Sequence, residues 1–313
     1  MRTPWTRGGE PVTSAEVAVE LTADVGEGPS WDALTQTLLF VDISRGFIYR
    51  FDPTTDQLTR TAFGQEVGAA IPTDTGGMVV AARRGIYLSE TDGSAPQMLV
   101  PIDADDDSIR LNDAKCDPAG RLWVGSMAFD FTPGAASLYR IDVATATAAR
   151  ALTGLTIANG MGWSPDAATM YFIDSGPGTV RAFDYDIDTG NISGERLVVG
   201  TPDSGFPDGM TMDDEGALWV AYYGAGEVRR FDPSGHRTDT VSLPVTQVTS
   251  CCFGGADLDT LFVTSAAYEL GPADLADQPL AGSTFACSPG VRGAATTAFM
   301  VGDTGFEPVT PRV

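Results

Sequence analysis

The sequence predicts an all-β protein, specifically a six-bladed β-propeller, and three observations carry that expectation. Long apolar stripes of period 3.6 are absent, and short β-rich runs alternate with turn residues instead. Glycine and proline are abundant, at 36 and 20 of 313 residues, as many tight turns require. An acidic turn followed by an apolar strand recurs six times at the spacing of a propeller blade.

The clearest strands are residues 38–43, 47–52, 78–82, 121–127, 137–142, 170–174, 179–184, 217–223, 227–232 and 261–265. The recurring unit opens at Asp32, Asp74, Asp117, Asp166, Asp214 and Asp257, with spacings of 42, 43, 49, 48 and 43. It reads W-D-A-L-T-Q-T-L-L-F-V-D in the first unit, D-P-A-G-R-L-W-V-G in the third and D-D-E-G-A-L-W-V-A in the fifth. Most units continue into a second strand ending in an acid, as in I-Y-R-F-D and V-R-R-F-D. Residues 15–301 are expected to form this single domain. An open last blade would leave strand edges unpaired. The alternating stretch 16–21 has no blade of its own, so it is expected to close the ring beside residues 283–288. Residues 1–14 and 302–313 carry no strand pattern and are expected to be frayed ends.

Composition excludes several functions. The formal charge is −23, from 19 basic and 42 acidic residues. Such a chain repels phosphate backbones and anionic lipid, so neither a nucleic-acid nor a membrane partner is expected. The acidic surface favours a monomer. One histidine, His236, excludes a three-histidine zinc site, and it sits in the turn P-S-G-H-R as a surface residue. The four cysteines form no C-x-x-C pair, and Cys251 and Cys252 read as packed thiols. No apolar run approaches spanning length and the N-terminus lacks a signal core, which makes cytoplasm the expected compartment.

Equivalent positions of successive blades converge on one central channel, so the residues just before each repeat marker are the informative ones. Glu27, Asn112, Asn159 and Asp208 occupy that phase in four blades, with Arg110 two residues before Asn112. The second blade offers Val67, Gly68 and Ala69 there, and the sixth Cys251 and Cys252. Each residue alone is ordinary turn chemistry; four in phase suggest a site. Carboxylates and amide oxygens without histidine or thiolate suit a hard divalent cation. The acids at 103, 105, 106 and 107 lack the glycine and the closing acid of a calcium loop and read as solvated. Trp123 and Trp219 share one strand phase and read as packing between blades. Trp31 and Trp163 lie nearer the axial loops and are weaker candidates for bordering the pocket. Lys115 is the only lysine, without the setting of a Schiff-base residue.

The runs G-E-G-P-S-W, R-L-N-D-A-K-C-D-P-A-G-R-L-W-V-G-S-M, A-N-G-M-G-W-S-P-D and P-D-G-M-T-M-D-D-E-G-A-L-W-V-A closely resemble the regucalcin/gluconolactonase family of sugar lactonases. The resemblance spans residues 20–293. It implies a metal-dependent hydrolase opening aldonolactones to aldonic acids, with one divalent metal ion (Ca, Zn, Mg or Mn). It places the metal on Glu27, Asn159 and Asp208, makes Asp208 the catalytic acid, and puts substrate on Arg110 and Asn112. Where animal members carry paired glutamates, Phe129 and Asp130 stand here, so Asp130 is the expected third substrate contact and the sugar preference is open. In this scheme Asp208 activates water beside the metal-polarised carbonyl or attacks that carbonyl itself. The alternatives are a lactonase or phosphotriesterase acting on non-sugar substrates, and a non-catalytic calcium-binding propeller.

Overall fold

A computed structural model describes residues 12–301. Six antiparallel sheets, arranged in a ring, make a six-bladed β-propeller. The first blade shows the common plan: strands Gly26–Asp32, Thr37–Asp42, Phe47–Asp52 and Gln57–Ala62 pair in chain order from the axis outward. The inner strand is buried except for half-buried Ser30, and the outermost one is almost wholly exposed. The apolar core lies between blades. Ile71, Val79 and Leu88 of the second blade, for example, pack with Leu122, Val124 and Tyr139 of the third.

Glu16–Val19 pairs antiparallel with Thr284–Cys287, so the early strand closes the last blade as its alternation predicts. Val12–Ser14 corrects the expectation of a patternless N-terminal segment: it forms a strand, parallel to Arg237–Ser242 of the fifth blade. An exposed sheet edge offers unpaired backbone groups that a short segment can satisfy without an apolar pattern of its own. The remaining expectations for the two ends, at residues 1–11 and 302–313, lie outside the described residues. Residues 292–301 run under the ring, bonded to the fifth, third and second blades through Arg292 O, Met300 N and Phe299 N.

Pairing also corrects the repeat phase. The turn-opening residue of the fifth blade is Asp213, not Asp214. Buried Asp213 accepts hydrogen bonds from Glu215 N, Ala217 N, Trp219 Nε1 and Arg230 Nε at 2.8–3.1 Å. Asp117 makes the same arrangement with Ala119 N, Arg121 and Trp123 Nε1. Both tryptophans are therefore packed and bonded between blades, as their shared phase predicts. Asp213→Ala strands all four donors and is expected to cost about 3–5 kcal/mol. Exposed Asp214→Ala is expected to cost less than about 0.5 kcal/mol. Urea denaturation of the two variants separates the assignments; equal midpoints would return the marker to Asp214.

Candidate functional site

Every inner strand carries a β-bulge at the same place. Pairing with the next strand slips at Gly28–Pro29 directly after Glu27, at Gly68, at Asn112–Asp113, at Asn159–Gly160, at Asp208–Gly209 and at Thr249. An extra residue in one strand frees it from the ladder and re-aims its side chain. Glu27, Gly68, Asn112, Asn159, Asp208 and Thr249 lie five residues before Asp32, Thr73, Asp117, Ser164, Asp213 and Gly254, a constant phase blurred when Asp166 and Asp214 serve as markers. In the sixth blade the axial residue is thus Thr249, not Cys251 or Cys252. Those two are buried free thiols, and burial pushes the Cys252 thiol up to about 12. The inner strands meet closely here. A Cβ on Gly68 would fall 2.1 Å from the Asn112 carbonyl oxygen, and one on Gly160 2.7 Å from that of Asp208.

Glu27, Arg110, Asn112, Asn159 and Asp208 line one cavity of about 650 Å³ at the upper end of the channel. Arg110 Nη1 donates to Asn112 Oδ1 at 2.7 Å, and Asn112 Nδ2 to Asn159 Oδ1 at 3.2 Å. Asn159 Nδ2 donates in turn to Asp208 Oδ1 and to Ser175 Oγ. One hydrogen-bonded chain thereby connects four of the five candidates. Glu27 stands apart: Oε2 accepts from Gly28 N, while Oε1 is buried without a partner. Burial raises the Glu27 carboxyl well above the usual range, and Asp208 and Asp113 add to the shift. Burial does the same to Asp208, with Asp113 again contributing. Arg110 is pulled down to about 10 by burial, against the opposing pull of Glu27, Glu66 and Asp208.

Buried Glu27, with its orphaned oxygen, and half-buried Asp208, whose charge raises the Glu27 carboxyl, form an electrostatic deficit that a cation would relieve. The donor set is all oxygen once the Asn159 amide presents Oδ1, which fits a hard divalent ion. Among the described residues no three of His, Cys, Asp and Glu gather as a metal cluster, so the amide is needed to complete the trio.

The family model described as SMP-30/Gluconolactonase/LRE-like region matches residues 25–267. The chain belongs to this family. Regucalcin of Danio rerio is 38% identical over 275 residues, covering 86% of this chain and 92% of that one. A regucalcin from Agrobacterium tumefaciens, described as a calcium-binding protein, superposes with a TM-score of 0.87 at 26% identity, covering 92% and 98% of the two chains. A luciferin-regenerating enzyme gives a TM-score of 0.83 at 34% identity, covering 91% and 99%.

Against the expectation carried by the SMP-30/gluconolactonase resemblance, Asp130 does not line the cavity. It is exposed, and Oδ1 accepts from the backbone and hydroxyl of Thr132 within its own turn. Its neighbours Phe129 and Phe131 line the cavity in its place. Trp31 and Trp163 are buried in blade packing and border no part of it. His236 is exposed, as expected.

Among the lining residues the sequence does not single out are Ser175, Thr249 and Tyr223. Ser175 holds Asn159 and donates to Pro207 O at 2.6 Å, and Thr249 bonds Gly26 O at 2.6 Å; Tyr223 lies near Asp208 and its hydroxyl is pushed up by burial and by that carboxylate. The S-G after F-I-D was the available signal for Ser175. Below the bulges a smaller cavity of about 290 Å³ holds Asp113 and Lys115, and residues 294–297 contribute to its wall. Lys115 Nζ donates to Met210 O at 2.6 Å, and its charge partly offsets the upward shift that burial imposes on Asp113. No helix of the described residues is long and apolar enough to cross a membrane.

Proposed function

We propose that the protein hydrolyses a lactone, opening a cyclic ester to the hydroxy acid, with aldonolactones as the substrates the family resemblance implies. The observation that carries the reading is the partnerless Glu27 oxygen beside Asp208 at the floor of a cavity also lined by Arg110 and Asn112. Glu27, Asn159 and Asp208 would hold one divalent cation, which when bound supplies Lewis-acid polarisation of the ester carbonyl and charge against the oxyanion.

The chain's own groups account for the remaining work. Asp208 uses Oδ1 to accept from Asn159, and Oδ2 takes no hydrogen bond among the described residues. That oxygen is the free acceptor for a proton from the attacking water. The water oxygen adds to the carbonyl carbon, the ring C–O bond breaks, and the proton taken by Asp208 is returned to the departing ring oxygen. Arg110, oriented by Asn112, donates to substrate oxygens, and Ser175 fixes the Asn159 amide. Water attack by this route, rather than attack by Asp208 itself, makes use of the unbonded Asp208 oxygen.

Acid release from five- and six-carbon aldonolactones tests this, with metal-stripped protein and then Ca, Mg, Mn or Zn added singly. Turnover is expected only after metal is restored. Metal binding with no turnover of any lactone would favour a calcium-binding propeller, a description the Agrobacterium regucalcin carries. We further propose that it acts as a monomer on small molecules.

A further inference from the structure

The mouth of the upper cavity is chemically unlike its floor. Among the described residues three phenylalanines are exposed, Phe129 at 39%, Phe131 at 49% and Phe206 at 56%, and all three line this one cavity. Single exposed apolar side chains are ordinary, whereas a group of them around a concave opening marks a binding surface. Each is held in place. The Arg83 guanidinium stacks on the Phe129 ring at 4.9 Å and is itself anchored by Glu66 and Asp107 at 3.6 and 3.3 Å. Phe131 adopts the left-handed conformation at φ 59°, its N–H donating to Ala128 O at 3.1 Å. A bulky side chain is rare there, where glycine or asparagine would sit without strain. Phe206 begins an inner strand two residues before Asp208 and pairs across the ladder with Tyr223, which also lines the cavity.

We infer that this rim binds an apolar substituent carried outside the lactone ring. The preferred substrate is then a lactone bearing an alkyl or aryl group rather than one whose periphery is wholly hydroxylated. The inference rests on the lactone-hydrolase reading for the reaction, but not for the rim's affinity. Ring oxygens meet Arg110 and Asn112 on the polar floor, while the substituent replaces water over the three phenylalanines. A hydroxylated periphery would instead lose hydrogen bonds to water against those rings.

The test compares kcat/KM for an aldonolactone, an alkyl-substituted lactone and a phenyl-substituted lactone of equal ring size, on the metal-loaded full chain. The same series is run on the variant combining Phe129→Ser, Phe131→Ser and Phe206→Ser. The wild type should favour a substituted lactone by roughly tenfold or more, chiefly through KM, and the variant should lose that preference. The better of the two substituents identifies the rim's ligand as alkyl or aryl. A wild-type preference for the aldonolactone, or a preference the triple change leaves intact, overturns the inference. Calorimetric binding of the corresponding substituted and unsubstituted lactams, which resist hydrolysis, separates the two readings. If no lactone turns over, the reaction assignment fails. Tighter wild-type binding of the substituted lactam, lost in the variant, still supports the rim's role, and equal binding of the two lactams overturns it.

Discussion

Asp208→Asn is expected to fold normally and to lose turnover by on the order of 10³-fold or more, since removing a positioned general base alone costs about 10²–10⁴. The substitution keeps shape and volume on a bulge whose backbone is fixed by neighbouring strands. An amide oxygen can still accept from Asn159 Nδ2, so the chain Arg110–Asn112–Asn159 persists. What disappears is the acceptor for the water proton and one of the two negative charges facing a cation. Saturating metal should therefore fail to restore the rate. Initial acid release at several metal concentrations checks this, with circular dichroism confirming the fold. A variant keeping more than about a tenth of wild-type activity, against the 10²–10⁴ expected for a lost base, would remove Asp208 from the proton-transfer role.

Much of the molecule was legible because a propeller writes each structural decision several times. The blade strands, the closing strand at residues 16–19 and the packing of Trp123 and Trp219 all follow from repetition and alternation. The axial residues were legible for a related reason: a bulge at a constant distance from the next turn gives a side chain facing the channel a fixed phase. What blurred that phase was local degeneracy. In D-D-E-G either acid suits a turn, and only Trp219 and Arg230 from the next strands select Asp213 as the buried one. Thr249 escaped notice because a hydroxyl in a β-rich run looks like any strand residue. Asp130 misled in the opposite way, since family position suggested a sugar contact. A short acid beside Thr132 finds its partner in its own turn, and the flanking rings take the cavity. Phe206 reads from sequence as a strand residue, because nothing local records that its strand begins at the open mouth.

The buried carboxylates make a prediction about stability whose sign is opposite to ordinary acid denaturation. Without metal, burial raises both Glu27 and Asp208 in the folded state, with Asp208 and Asp113 adding to the Glu27 shift and Asp113 to that of Asp208. Between the ordinary carboxylate value and the raised one, the folded chain binds more protons than the unfolded chain. Stability from this pair is therefore full at low pH and lost as pH climbs through the raised folded values. Acids in turns such as Asp52, Asp106 and Asp232 are shifted down by turn hydrogen bonds and act in the other direction. Their effect is common to wild type and variant and cancels in a difference. Metal-free Glu27→Gln should thus melt above metal-free wild type at pH 7.5, by a margin that narrows towards pH 5. A divalent cation at a hundred times its Kd adds about 2.7 kcal/mol to whichever protein binds it. Wild type should gain that and the variant little, so the order of the two melting temperatures inverts when metal is added. If wild type melts higher both with and without metal, Glu27 is a structural acid rather than a ligand. The inversion needs no substrate, and so it tests the cation site independently of any lactone chemistry.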